Sequence, residues 1–126
     1  MSINKVILLG YTGKDPEVKD VAGTKVANLS LATTEKGYTL QNGIQVPDRT
    51  EWHSLIFWKG LAEVVEKYVR KGSQIYIEGK IKTRQYEDRT GSKRYVTEIF
   101  VDKLELLGSR LAQQEASLQS KLYPPE

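Results

Sequence analysis

Gln74-Ile75-Tyr76-Ile77-Glu78-Gly79-Lys80-Ile81-Lys82-Thr83-Arg84-Gln85-Tyr86 alternates in a way that decides the fold, because neighbouring residues of a strand point to opposite faces. Ile75, Ile77 and Ile81 fall on one side and predict a core-facing surface. Tyr76, Glu78, Lys80, Lys82, Arg84 and Tyr86 fall on the other. Cations interleaved with aromatic rings suit an unpaired nucleic-acid strand, since phosphates are drawn to positive charge and bases stack on flat rings. A solvated strand face with tyrosines at its ends accounts for the same pattern. Gly79 breaks the alternation where a bend or bulge would let a sheet curl into a barrel.

Working outward, Lys5 to Leu9 reads as a first strand ended by Gly10 and a turn cluster at 12–16. Lys25 to Thr33 reads as a half-buried second strand, with Ala27, Leu29 and Leu31 on one face and Asn28 and Ser30 on the other. Residues 34–50 hold no sustained period and predict a long loop that carries Tyr38, with room for a small hairpin around Asn42-Gly43. Glu51 to Trp58 is the third strand. Its parity puts Trp52, Ser54, Ile56 and Trp58 on one face and His53, Leu55 and Phe57 on the other.

From Lys59 to Arg70 the period changes. Leu61, Val64, Val65 and Tyr68 recur at helical spacing, and Gly72 stops the run. The strand Gln74 to Tyr86 follows, then Lys93 to Leu107, joined by the turn residues 88–92. The pattern predicts an all-β chain with one helix: a five-stranded oligonucleotide/oligosaccharide-binding (OB) barrel with the helix between strands three and four. A less closed α+β sheet is the alternative. Residues 1–108 make one domain on this reading, and 109–126 a short, polar, weakly ordered tail in which Leu111, Leu118 and Leu122 could line a marginal helix.

The chain has 126 residues, 39% hydrophobic and 28% charged, which suits one domain with an ordinary core. No apolar run approaches a membrane span and no signal segment opens the sequence, so a soluble cytoplasmic protein is expected. Without cysteine there is no disulfide framework or thiolate metal site, and His53 is the sole histidine, so neither a metal centre nor a catalytic triad is expected. Net charge is +3, but it is uneven. Residues 67–94 hold 9 basic and 3 acidic side chains, against 7 and 8 in residues 1–66 and 3 and 5 in residues 95–126. That concentration marks a footprint for a polyanion, although a charged hairpin that only aids solubility would look alike.

Gly10-Tyr11-Thr12-Gly13-Lys14 is too short for a phosphate loop, and Asp15 stands where Ser or Thr should meet magnesium. Glu63 and Glu66 lie on the helix's polar side with no nucleophile nearby, so catalysis has no visible support. On the OB reading, the tryptophan face of strand three joins the basic face of strand four, where Lys80, Lys82 and Arg84 alternate, into one groove. Trp52, Trp58, Tyr86 and the loop residue Tyr38 are its candidate stacking rings, each contributing about 1–3 kcal/mol per base without regard to sequence. For each tryptophan, a place in the core is the competing reading.

Residues 1–108 resemble the bacterial-type single-stranded DNA-binding protein family. The likeness runs through 4–10 (Asn-Lys-Val-Ile-Leu-Leu-Gly), 15–18 (Asp-Pro-Glu-Val), 31–33 (Leu-Ala-Thr), 50–53 (Thr-Glu-Trp-His), 61–64 (Leu-Ala-Glu-Val) and 68–79. The resemblance implies a homotetramer of OB domains that binds and protects single-stranded DNA in replication, recombination and repair, close to the nucleoid and without cofactor or catalysis. It places stacking rings at Trp52, Trp58, Tyr86 and, less firmly, Tyr38, and a positive groove at Lys5, Lys71, Lys82 and Arg84. Lys59 is a looser match, because Lys59-Gly60 reverses the family's usual Gly-Lys order. His53 matches a histidine near a subunit contact, although a hydrogen-bonded strand imidazole is an equal reading. Relatives typically continue into a Gly/Pro/Gln-rich linker and an acidic tip ending in phenylalanine. Residues 109–126 carry neither, which puts tail-mediated recruitment of protein partners in doubt. Two other uses of the barrel remain open: a protein-interaction module whose aromatic face meets a partner such as a primosome component, and an RNA- or tRNA-binding domain.

Overall fold

The computed structural model describes residues 1–107. The expected tail at 109–126 lies outside the described residues. Eight strands and one helix run in the order β1 (Val6–Thr12), β2 (Glu17–Val21), β3 (Thr24–Glu35), β4 (Tyr38–Thr39), β5 (Gln45–Val46), β6 (Arg49–Trp58), α1 (Gly60–Tyr68), β7 (Gln74–Glu87) and β8 (Lys93–Leu107). The large sheet runs β1-β7-β8-β6-β3-β2, and β1 also pairs with β3 at Tyr11–Ala32 and Thr12–Leu31. That extra pairing closes β1, β7, β8, β6 and β3 into a five-stranded ring, the OB barrel expected from the sequence. The helix falls between β6 and β7, the third and fourth strands of the ring. The numbering differs from the expected three and four because β2, β4 and β5 intervene.

The barrel interior is filled by alternate residues of the ring strands. Ala27, Leu29, Leu31, Leu55, Phe57, Ile75, Ile77, Ile99 and Val101 form the buried cluster, against which the partly buried Val6 and Leu8 of β1 pack and which α1 covers with Ala62 and Val65. Only alternate residues can do this, because the pleat sends the intervening side chains outward. The helix keeps the whole apolar stripe but is shorter than the expected span 59–70, ending at Tyr68, with Gly72 in the left-handed region (φ 85°) turning the chain into β7.

Two devices shape the sheet near Gly79. The β7–β8 register slips between Glu78 and Gly79, where β8 passes from Lys103 to Val101 and leaves Asp102 as the additional residue. A side chain at Gly79 would meet the Phe100 carbonyl oxygen at 2.3 Å, so only glycine permits the close approach. Beyond this point β1 no longer pairs with β7, whose last ladder partner on that side is Val6. Residues 80–87 therefore leave the barrel as a ribbon paired with β8 alone. This corrects one expectation: Ile81 shares parity with Ile75 and Ile77 but is 47% exposed, because no core lies beneath the ribbon. Asn4 covers the edge left open there, its amide donating to and accepting from the Ile81 backbone at 2.8 and 3.0 Å.

Residues 34–50 are more ordered than a loop reading allows. β3 continues to Glu35, β6 begins at Arg49, and β4 and β5 form the small hairpin, with Gly43 at φ 86° in its turn. The strand at 17–21 was not anticipated. It is an edge strand, hydrogen-bonded only to β3 and exposed at all but Val18, so it carries no alternation to read.

Candidate nucleic-acid interface

Strand β6 sets out the site. Its outward row is Trp52, Ser54, Ile56 and Trp58, which lie across from Ala32, Ser30, Asn28 and Val26 of β3. On the other side Ile56 is level with Phe100 of β8, and β8 in turn pairs with the ribbon of β7. There Lys80 faces Phe100, Lys82 faces Glu98, and Tyr86 faces Arg94. One surface therefore runs from the tryptophans across Phe100 to the cationic ribbon.

Both tryptophans lie on the surface, Trp52 at 61% and Trp58 at 38% exposure, and Tyr86 is exposed at 43%. The core reading of these rings is thereby excluded. Trp52 lies against the Gly13 backbone, where an added Cβ would strike the ring at 2.4 and 2.6 Å. Trp58 tilts toward Phe100, ring centroids 6.3 Å apart, and Lys82 Nζ stands 4.6 Å over the Phe100 ring. Arg84 lies 5.9 Å from the centre of Tyr86. Aromatic planes and cations are thus in contact, the arrangement that stacks bases and draws phosphates together.

Charge on this surface is not all equally available. Lys80 and Lys82 have no ion-pair partner among the described residues. Arg84 donates from Nε to Oε1 of Glu98 at 2.8 Å and from Nη2 to Oε2 at 3.5 Å. Its pKa rises above the ordinary guanidinium value, chiefly through that hydrogen bond. Glu98 itself is only 7% exposed.

The other candidates fall elsewhere. Lys59 follows Trp58 directly and is exposed, held at φ 56°, ψ −123° with its N–H donating to the Lys25 carbonyl at 2.9 Å. Tyr38 is exposed on the β4–β5 hairpin, with no ring contact to the groove. Lys71 sits in the turn after α1, its N–H donating to Asp15 Oδ1 at 2.8 Å. Lys5 pairs with Glu78 at 3.2 Å on the opposite, β1 side of β7. His53 points to the other side of β6 from the tryptophans, half-buried, with Nε2 2.8 Å from the Thr33 hydroxyl. Phe100 escaped the sequence reading. Its parity in Lys93 to Leu107 sets it opposite Ile99 and Val101, but its neighbours across the sheet show only once the strand pairing is known.

A second exposed apolar row lies on β1: Ile7, Leu9 and Tyr11 point outward beside Glu78, Tyr76 and Gln74. Here the charges are spent on one another. Tyr76 donates to Glu78 at 2.6 Å and Lys5 pairs with the same carboxylate.

An OB barrel with a solvent-exposed row of rings beside unpaired lysines defines a binder of single-stranded nucleic acid. The comparisons agree. The family model described as "Single-strand binding protein family" matches residues 3–107. A "Single-stranded DNA-binding protein" of Bacteroides thetaiotaomicron is 56% identical over 111 residues, covering 87% of this chain and 69% of that protein. Among solved structures, a Plasmodium falciparum SSB complex with ssDNA superposes with a TM-score of 0.75 at 31% identity, covering 86% of this chain and 97% of the other. The chain belongs to the single-strand binding protein family, whose members bind DNA without catalysing a reaction. No helix among the described residues is long and apolar enough to cross a membrane.

Proposed function

We propose that the chain binds and shields single-stranded DNA with little regard to sequence, serving replication, recombination and repair in the cytoplasm at the nucleoid. The observation that carries this reading is the line of open rings, Trp52, Trp58 and Tyr86, with the unpaired Lys80 and Lys82 beside it. Bases stack along the line while the backbone follows the ribbon lysines; Lys59 and Tyr38 extend the surface at its margins. Lys5 and Lys71 lie outside the line and join the path only where a strand wraps further around the domain. The test is a titration of tryptophan fluorescence with oligo-dT and with duplex of equal length at several salt concentrations. Quenching by the single strand, weakening linearly in log salt as counterions are released, is the expected result. No quenching, or equal affinity for duplex, overturns it. Oligo-rU run alongside separates a DNA binder from an RNA binder.

The assembly that fits this reading is a homotetramer, supported by the exposed apolar row Ile7, Leu9 and Tyr11 on a ring strand whose neighbouring charges, Lys5 and Glu78, are paired with one another. His53 would then lie near a subunit contact. A monomer at all concentrations in the ultracentrifuge contradicts this.

A further inference from the structure

Between the two tryptophans of β6 the outer surface is not flat. A cavity of about 130 Å³ sinks between β3, β6 and β8, lined by Asn28, Ser30, Ser54 and Glu98, with Lys14 and Glu17 at its rim. Water takes up roughly 30 Å³ per molecule in the liquid, so the space admits the edge of one base and not a length of backbone. It adjoins the Trp52 platform, because Lys14 follows Gly13, on which that ring lies.

The lining is chemically unusual for a floor beneath a polyanion. Asn28, Ser30 and Ser54 have no side-chain hydrogen bond to any described residue. Glu98 is a buried carboxylate whose only ion-pair partner among the described residues is Arg84, approaching from the ribbon side. The rim carries no net charge, since Lys14 and Glu17 lie 3.7 Å apart as an ion pair. A phosphate brought here would meet Glu98 and be repelled, so the backbone keeps to Lys80 and Lys82. What a buried carboxylate and idle amide and hydroxyl groups can accept is a neutral donor with an acceptor beside it.

We infer that this cavity is a base-edge subsite that takes a nucleobase bearing an exocyclic amino group, cytosine or adenine, in preference to thymine. The amino group donates to Glu98, as acidic side chains accept from cytosine N4 in base recognition. The Asn28 amide donates to the adjacent ring nitrogen, and Ser54 closes the edge. Thymine presents carbonyl oxygens on both sides of its N3–H and sets lone pairs against the carboxylate. Binding stays sequence-tolerant overall, because stacking is indifferent to base identity and only one position is read.

The inference rests on the groove proposed above, and the experiment separates the two. Affinities of oligo-dC and oligo-dT of equal length are measured at fixed salt for the full chain and for its Glu98→Gln, Asn28→Ala and Trp58→Ala variants. Differences in self-stacking between the homopolymers are the same for every variant, so the change in the dC/dT affinity ratio isolates the base edge. Any gain from freeing Arg84 in Glu98→Gln raises both affinities and cancels in the ratio. The expected result is a ratio lowered on the order of five- to tenfold in Glu98→Gln, lowered less in Asn28→Ala, and unchanged in Trp58→Ala, which weakens both homopolymers alike. A ratio unmoved in both polar variants while Trp58→Ala weakens binding overturns the subsite and leaves the groove standing. If Trp58→Ala binds both homopolymers as the parent does, the groove falls and the subsite with it.

Discussion

The barrel displays exposed rings and aliphatic side chains on two faces, and what lies between them separates the two. On the β6–β8–β7 face, the exposed Trp52 and Trp58 and the half-buried Phe100 lie beside Lys80 and Lys82, which have no ion-pair partner among the described residues. On the β1 face, Ile7, Leu9 and Tyr11 adjoin Lys5, Glu78 and Tyr76, which satisfy one another. Apolar exposure alone says only that something binds. Free cations beside planar rings select a nucleic acid, whereas neutralised charge beside aliphatic side chains selects another protein surface. Burying a face of the second kind still desolvates its ions, but Lys5 and Glu78 keep each other as partners, so it avoids the larger penalty of an uncompensated buried charge.

The contrast breaks most visibly at Leu9. Leu9→Asp puts an unpaired carboxylate in the middle of the β1 face, and the expected outcome is loss of the proposed tetramer, read as a fall toward protomer mass in sedimentation. A short oligonucleotide that one subunit can hold should still quench tryptophan fluorescence. Trp58→Ala should do the reverse, keeping the assembly and weakening single-strand binding by about 1–3 kcal/mol. Unfolding of Trp58→Ala would mean that the ring is a structural anchor; its exposure predicts a melting temperature close to the parent's.

The β6 groove was legible in the sequence because strand parity is a local property. Trp52 and Trp58 are six residues apart on one strand and must share a face whatever the rest of the chain does. The helix and the strands β3, β6 and β7 were legible for the same reason, each carrying a period of its own, while β1 and β8 were legible from the turn residues beside them. What stayed hidden depended on pairing. Ile81 has the parity of a core residue and loses its core because β1 stops at Gly79, and no residue near Ile81 reports that. Phe100 becomes part of the groove only through its ladder with Lys80 and its approach to Trp58. β2 was missed because its two-residue turn is Ala22-Gly23, with Ala22 at φ 50°, where Asn or Asp is the readable signal. The Glu98 cavity is a tertiary feature assembled from three strands, without any motif.

Within the groove the cations can be told apart. Lys82 is free to meet phosphate, while Arg84 is held by Glu98. For single strands each neutralised phosphate adds roughly 0.7 to the slope of log affinity against log salt. Lys82→Ala should therefore flatten the slope by about that amount. Arg84→Ala should flatten it less while still lowering affinity, because its guanidinium acts beside Tyr86 as a platform. Equal losses of slope in both variants would show that DNA pulls Arg84 away from Glu98.

Acid provides the finest separation of the two faces. At the ribbon tip, Asp88 accepts from the Thr90 hydroxyl and from Arg94, and its carboxyl is lowered to about 2. Glu78 on the β1 face is also lowered, first by the Tyr76 hydroxyl and then by Lys5. Both groups bind protons less readily folded than unfolded, so each contributes stability that is complete above the ordinary carboxylate value near 4 and disappears as pH falls through the folded value. For Asp88 that window runs from roughly 4 down to about 2. The amides of Thr90 and Ser92, both donating to Asp88 Oδ1, should lose hydrogen-exchange protection across it. Asp88→Asn should remove that pH dependence and leave the Glu78 face untouched, since the ribbon tip and β1 share no ladder. Protection of both amides that persists to pH 2 would show that Gly91, whose N–H donates to the Asp88 carbonyl at 3.0 Å, holds the turn without the carboxylate.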